Sequence, residues 1–380
     1  MSNGTLMAAN RQWATRPDDQ RFDSLKAMYL AMFLAAQTTS AHDISQQALR
    51  VEVADNDLVL ATPAGQMDFS HWSFGQLSQR IGAPASWLRT LDPELAALNL
   101  NAGLARSGIG DDAQMYFRQS PGEQRAKLLA LTSTKYGRIY NHEVLSAVMN
   151  IPGNWTSPLS MPKSGEATRP ATEEDVKYGT NLQIGEDVST KRALYGSDKD
   201  MFAFLVDNDR RVDDGTDGGL GRGFFVSNSE VGDATFSITR FLYRYVCRNN
   251  IVWGAKNVEK ISIKHLGRGA RGRAFDSLEV DLKNYANASA VEDEARIRSA
   301  KNLILGRNVE DVQDKVFREL KIVGKSQVSD AYELATRHED VDGNPNTGWG
   351  LANGLTRLSQ LEQYTDERVK LDLAASKILA

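Results

Sequence analysis

One segment of the chain concentrates cations whose chemistry suits phosphate. Between Thr235 and Phe275, nine lysine and arginine residues stand against one acid, Glu259, a net charge of +8 in a chain whose formal net charge is −4. Guanidinium forks match phosphate oxygens, and fixed cations follow a nucleic-acid backbone without reading its sequence. The segment therefore predicts a nucleic-acid-binding surface. Its cations are Arg240, Arg244, Arg248, Lys256, Lys260, Lys264, Arg268, Arg271 and Arg273.

The spacing of these cations supports the same interpretation. Arg240, Arg244 and Arg248 recur every four residues, so they share a face in either a helix or a strand. The later run HLGRGARGRAF contains no acid, and its glycines let backbone N–H groups approach a phosphate. An alternative stays open, in which the arginines pair with the acids of a predicted turn-rich loop from Asp207 to Asp217, continuing to Gly219.

A second cluster interleaves cations with aromatic residues at Lys135, Tyr136 and Arg138. Exposed aromatic rings stack on bases in single-strand binders, at about 1–3 kcal/mol each. The alternative is that such rings belong to the core. We predict that phosphate-binding cations lie beside this cluster. The predicted nucleic-acid-binding residues are Lys135, Tyr136, Arg138, Arg240, Arg244, Arg248, Lys264, His265, Arg268, Arg271 and Arg273.

The sequence contains fragments of enzyme motifs, but their residues do not have the spacing that the chemistry requires. Gly324-Lys325-Ser326 ends like a P-loop, but Glu319 stands where the first glycine is required. The five histidines have no metal-ligand spacing. We predict no catalytic residue, no metal ligand and no cofactor. One exception stays open, because Asp281 and Lys283 on a predicted strand could form half of a nuclease-type site.

Composition bounds the class of protein. The 380 residues are 41% hydrophobic and 25% charged, as in a soluble globular protein. One cysteine, Cys247, fits a reducing compartment. The N-terminus has no apolar signal segment, and the longest apolar run, Ala27 to Ala36, is shorter than the about 20 residues of a membrane span. We therefore expect a cytoplasmic protein without membrane contact.

Hydrophobic patterning predicts an α+β fold with a central antiparallel sheet, a long amphipathic helix and an N-terminal helix-rich subdomain. Alternating runs predict strands at 48–54, 58–62, 114–118, 126–133, 191–206, 223–228, 234–239 and 277–285, although residues 125–131 could equally be helical. The long helix is expected from Val291 to Leu320, with Gly306 as an interruption. The expected organisation is a helix and hairpin region at 1–120, a core at 121–330 with a proline-rich loop at 152–170, and a C-terminal loop and helix at 331–380.

The central stretch also resembles a known family. GRGFFVSNSEVGDATFSITRFLYRYVCRNNIVWG, followed by IKHLGRG, is similar to phage- and plasmid-encoded proteins grouped as family 932 of the domains of unknown function. The likeness covers most of the chain from about Ser73, although Asn250 stands where the family usually has glycine. It implies a mobile-element context, in DNA metabolism or interference with the host, and supplies no catalytic residues. The order of strands and helix is also similar to phage single-strand annealing proteins of the Rad-fifty-two type.

These observations predict a non-enzymatic, oligomeric nucleic-acid-binding protein with DNA as the expected ligand. It would hold single strands by their phosphates and leave the base edges free to pair. Two alternatives remain. One is a protein-interaction module that inhibits a host factor through the acidic loop and the basic segment. The other is a metal-dependent nuclease built from the acids of the Asp207 to Asp217 loop together with Asp281.

Overall fold

The fold is taken from a computed structural model. It describes all residues except 1–15, 107–111, 159–166, 179–182, 216–218, 245–250, 254–259, 268, 321–322, 362–370, 372–373, 376 and 379–380. Among the described residues, no helix has both the length and the apolar character needed to cross a membrane.

The first half of the chain contains a six-stranded sheet. Its strands are β1 (Thr39–Ile44), β2 (Arg50–Ala54), β3 (Asp57–Thr62), β4 (Gly65–Phe69), β5 (Ala113–Arg118) and β6 (Ala126–Ser133). The order is β1-β5-β6-β4-β3-β2, with only the β4–β6 pair parallel. Alternating residues predicted β2, β3, β5 and β6 but not the edge strand β1 or the short β4. The domain boundary expected at residue 120 falls between two paired strands of this sheet.

Four helices accompany this sheet in the chain. They are α1 (Leu25–Gln37), α2 (His71–Arg80), α3 (Ala85–Leu88) and α4 (Pro93–Arg106). Ser24 and Ser70 begin α1 and α2 by accepting hydrogen bonds from backbone N–H groups of the first turn. Side chains from α2, α3 and α4 share one buried cluster with the first sheet, whereas Met28 of α1 packs in the core of the second sheet.

The second sheet is antiparallel and forms the centre of the molecule, as predicted. It consists of β7 (Trp155–Thr156), β10 (Leu194–Gly196), β11 (Met201–Val212), β12 (Leu220–Asn228), β13 (Phe236–Arg244), β14 (Ile251–Trp253) and β15 (Lys260–Ile263). A separate pair is β8 (Thr168–Pro170) with β9 (Asp187–Ser189). Two short helices are α5 (Asn141–Met149) and α6 (Glu173–Tyr178). Buried phenylalanine and aliphatic residues on β11, β12 and β13 explain why alternation identified this region.

The strand predicted at 277–285 is wrong, because this segment is helical. Helix α7 (Ala270–Asp276) continues into a π-helical segment (Ser277–Leu282) and α8 (Lys283–Asn287). Buried apolar residues recur every four positions, at Ala274, Leu278, Leu282 and Ala286, and pack with α5 and the second sheet. That spacing places one stripe on a helix, whereas a half-buried strand would bury every second residue.

The acidic loop predicted from Asp207 also begins too early. Strand β11 runs to Val212, with a register shift between Val206 and Arg211 where it pairs with β12. Asp207 is buried within the strand, so its carboxylate is not part of a solvated loop. Only residues after Val212 leave the sheet.

The C-terminal region is a cluster of helices around the buried Trp349. The helices are α9 (Val291–Asn302), α10 (Val309–Leu320), α11 (Lys325–Arg337), α12 (Glu339–Asp342) and α13 (Gly348–Leu361). The predicted long amphipathic helix is therefore two helices, and Gly306 lies in the break between them. A Cβ atom at Gly306 would lie 2.5 Å from the Cβ of Asp311, so the connection tolerates only glycine without rearrangement.

Candidate nucleic-acid interface

Two loops that are distant in sequence pair side by side at the junction of the two sheets. One follows β6 and the other follows β15, and we call residues 133–138 and 264–267 the paired loops. The Gly137 N–H donates to the His265 carbonyl at 3.1 Å, and the Gly267 N–H donates to the Lys135 carbonyl at 2.8 Å. A Cβ atom at Gly137 would lie 2.2 Å from the Gly267 carbonyl oxygen, so this close approach requires glycine.

Three cations from the predicted set lie exposed around the paired loops. They are Lys135, Lys264 and Arg273, the last of which is in the final turn of α7. Arg273 Nη2 donates to the Leu266 carbonyl at 3.1 Å, which holds the helix against the second loop. Within the described part of the chain, no carboxylate forms an ion pair with any of the three. Their charges are therefore directed to solvent, and we call them the exposed cations.

The predicted residues Tyr136 and His265 lie beneath this surface and contact each other. Their rings stack with centroids 5.0 Å apart and planes 12° apart. His265 Nδ1 donates to the Gly137 carbonyl at 3.2 Å, since a carbonyl oxygen can only accept. Burial lowers the pKa of His265 to about 4, with a smaller contribution from nearby Arg138. His265 is thus neutral at pH 7 and supplies packing rather than positive charge.

Arg138 is also internal, although the sequence predicted it at the edge of the interface. Its guanidinium lies 3.9 Å from the ring centroid of Tyr116 and donates to the Glu230 carbonyl and, at 2.9 Å, to Gln114 Oε1. Desolvation lowers the pKa of Arg138 and raises the pKa of Tyr116. Because its Nη1 and Nη2 atoms donate to acceptors on either side, Arg138 joins the two sheets.

The turn at residues 228–232 has the sequence NSEVG, and its contacts explain why these residue types occur together. Asn228 Nδ2 donates to the Ile139 carbonyl at 2.8 Å, and the Glu230 carboxylate accepts from Tyr116 Oη and, at 2.6 Å, from the Asn141 N–H. Gly232 has a φ of +87°, which favours glycine.

The same turn receives two hydrogen bonds from α2. Trp72 Nε1 and Gln76 Nε2 both donate to the Val231 carbonyl, at 2.9 and 2.8 Å. The turn therefore connects β12 and β13 to the first sheet. The sequence does not identify Glu230 as a residue that joins the two sheets. Its one local signal is that an acid stands in the short turn between two predicted strands, two residues before a glycine.

Arg240, another predicted cation, does not lie beside the exposed cations. Arg240 lies half-buried on β13 with its guanidinium 5.5 Å from the ring centroid of Tyr285. It is about 16 Å along the strand from the level of Lys264. Arg244 is on the same strand with only its backbone described, whereas Arg248 and Arg268 lie outside the described residues.

Arg271 is exposed at the start of α7, but its guanidinium forms an ion pair with an acid. Its Nε and Nη2 atoms contact the two carboxylate oxygens of Glu143 on α5, at 2.8 and 2.5 Å. This bidentate geometry is the one that a phosphate would otherwise use. Glu143 therefore competes with a ligand for Arg271.

Three acids upstream of the basic segment have contacts within the described part of the chain. Asp207 Oδ2 lies 3.7 Å from Arg210 Nε, Asp209 accepts from Asn154 at 3.1 Å, and Asp213 accepts from the Gly215 N–H at 2.7 Å. Asp281 lies on the π-helical segment rather than on a strand. Within the described ranges, no group of three or more His, Cys, Asp or Glu side chains has the arrangement of a metal site.

Comparison with known proteins gives one family. Residues 185–369 match the family described as Domain of unknown function (DUF932). No curated protein and no solved structure matches the chain. The match includes the turn at 228–232 and the loop at 264–267, whereas the likeness that the sequence shows between Ser73 and residue 184 stays a prediction. Residues 185–369, which contain β11, β12, β13 and the helices that follow them, belong to the DUF932 family of domains of unknown function.

Proposed function

We propose that this chain is a non-enzymatic protein that binds single-stranded DNA by its phosphates, as an oligomer, in phage- or plasmid-type DNA recombination in the cytoplasm of a bacterial host. The observation that supports it is the group of exposed cations around the paired loops. Lys135, Lys264 and Arg273 have no acidic partner among the described residues. Phosphate contacts of this kind give affinity without sequence specificity.

Buried polar residues under the paired loops fix the positions of the exposed cations. Tyr136, Arg138 and His265 hold the loops in place from below, so the exposed cations are displayed on a fixed backbone. A fixed set of cations loses less conformational freedom when it binds an anion than cations on a mobile tail. The bases of a bound strand would remain available for pairing, because the exposed cations contact only its backbone.

The test is the salt dependence of binding to a fluorescently labelled thymidine oligomer. On a single strand each neutralised phosphate contributes about 0.7 to the slope of log K against log salt concentration. Replacing Lys135, Lys264 and Arg273 together by Ala should therefore lower the slope by about 2 and weaken binding steeply at low salt. A matched control removes three exposed cations of the C-terminal helices, Arg318, Lys325 and Arg337, and should leave the slope nearly unchanged.

The proposal fails if the protein does not bind the oligomer, if binding is insensitive to salt, or if the control variant loses as much affinity as the loop variant. Retention of a host protein in the absence of nucleic acid would instead favour a protein-interaction module.

A further inference from the structure

One exposed apolar side chain, that of Leu266, lies next to the exposed cations. Leu266 is 63% exposed at the end of the second of the paired loops. Lys264 is exposed, His265 is buried and Leu266 is exposed. The hydrogen bond from the Leu266 N–H to the Lys264 carbonyl closes a γ-turn centred on His265, so the two exposed side chains flank this turn.

The backbone prevents Leu266 from turning inward. Its N–H donates to the Lys264 carbonyl at 2.8 Å, and its carbonyl accepts from Arg273 Nη2 at 3.1 Å. The neighbouring Gly267 has a φ of +76° and donates to the Lys135 carbonyl. Turning Leu266 toward the core would break these hydrogen bonds and displace His265 from its stack on Tyr136. The exposure of Leu266 is therefore built into the loop.

Two other leucines with the same exposure have different surroundings. Leu34 is 64% exposed on α1, whose only charged residue is Lys26, and Leu98 is 66% exposed on α4, one turn after the acid Glu94. Single exposed apolar residues of that kind are normal on protein surfaces. Leu266 differs because an exposed lysine lies two positions before it and an arginine binds its own carbonyl.

A ligand that satisfies this arrangement must present an apolar surface next to anions. An unpaired nucleotide does so, because the face of its base is apolar and its phosphates lie a few ångströms away. In a duplex the same base faces are stacked on one another and out of reach. We propose that Leu266 contacts the face of an unpaired base while Lys264, Lys135 and Arg273 hold the adjacent phosphates. This inference rests on the proposed function and adds a preference for single strands.

The test compares Leu266→Ala with the parent on three ligands of equal length: a thymidine oligomer, a strand of abasic sites and a duplex. We expect the affinity for the thymidine oligomer to fall about tenfold, because the base face loses its apolar contact. The affinities for the abasic strand and the duplex should not change, and neither should the salt slope, because no cation is removed. Leu266→Phe should restore binding to the thymidine oligomer.

Two controls separate this contact from a role in folding. Leu98→Ala removes an equally exposed leucine and should leave all three affinities unchanged. The urea midpoint of Leu266→Ala should equal that of the parent, because the side chain buries little surface in the free protein.

The inference is overturned if Leu266→Ala binds the thymidine oligomer as the parent does, or if it loses equal affinity on the abasic strand. Both outcomes leave the phosphate-binding proposal standing, provided that the parent shows the expected salt slope. If the parent binds none of the three ligands, the proposed function and the base contact fail together.

Discussion

Arg222 and Arg271 make similar contacts in very different surroundings. Arg222 on β12 lies 3.0 Å from Asp293 and donates to the carbonyls of Ala288 and Ser289, and the side chains of the ion pair are 5% and 14% exposed. Arg271 binds Glu143 with two hydrogen bonds, but its side chain is 57% exposed. The first arginine is committed to the fold, whereas the second can exchange its acid for a ligand. Sequence reasoning gave weight to Arg271 and none to Arg222.

Removing Arg222 is the most severe way to test that difference. Arg222→Ala leaves the carboxylate of Asp293 unpaired at a largely buried position and leaves two carbonyls without their donor. We expect the free energy of unfolding to fall by about 3–5 kcal/mol, measured by urea denaturation. Arg318→Ala, on an exposed side chain, should change it by less than about 0.5 kcal/mol. Equal losses in the two variants would show that burial does not distinguish these arginines.

His265, which is buried beneath the exposed cations, should make the stability of the protein depend on pH. His265 has a pKa of about 4 in the folded protein and about 6.5 when unfolded. Above pH 6.5 the ring is neutral in both states and has no effect on the pH dependence of stability. As the pH falls from 6.5 to 4, only the unfolded state binds the proton, so the folded state should lose up to about 3 kcal/mol.

The measurement is the difference in the free energy of unfolding between the parent and His265→Phe, at pH values from 7 to 4.5. Phenylalanine keeps a ring against Tyr136 but does not titrate. The parent should lose stability relative to the variant as the pH falls through this range. A difference that stays constant with pH would mean that His265 is not held neutral by its surroundings.

The sequence predicts strands whose pattern depends on neighbouring residues, but it does not predict contacts between residues that are far apart in the chain. Alternation identified β11, β12 and β13 because their apolar faces follow from neighbouring residues. The contacts that fix the paired loops follow from no local pattern: Glu230 accepts from Tyr116, 114 positions earlier, and His265 contacts Gly137, 128 positions earlier. Arg138 therefore looked like an exposed cation, although its partners bury it. Charge counting locates a basic segment but does not tell which of its cations reach solvent.

Because Arg271 is exposed, unlike Arg222, the substitution Arg271→Ala should change the free energy of unfolding little. An exposed ion pair contributes about 0.2–1 kcal/mol even with good geometry, because water competes for both groups. We expect the free energy of unfolding to fall by less than about 1 kcal/mol, with urea denaturation as the measurement. A loss as large as that of Arg222→Ala would place Arg271 among the residues that hold the fold, and would remove it from the candidate interface.

The smallest effect concerns the competition between Glu143 and a ligand for Arg271. Glu143→Gln removes one negative charge from α5 and weakens the hold on the guanidinium, which can then bind a phosphate. At low salt a charge contact near 4 Å in water amounts to about 1 kcal/mol, and salt screens it, so we expect affinity for the thymidine oligomer to rise about twofold to threefold. The decisive comparison is Glu143→Gln in the Arg271→Ala background. If the gain comes from the freed arginine, it disappears there; if the gain persists, Glu143 acts only through the general field and Arg271 does not touch the strand.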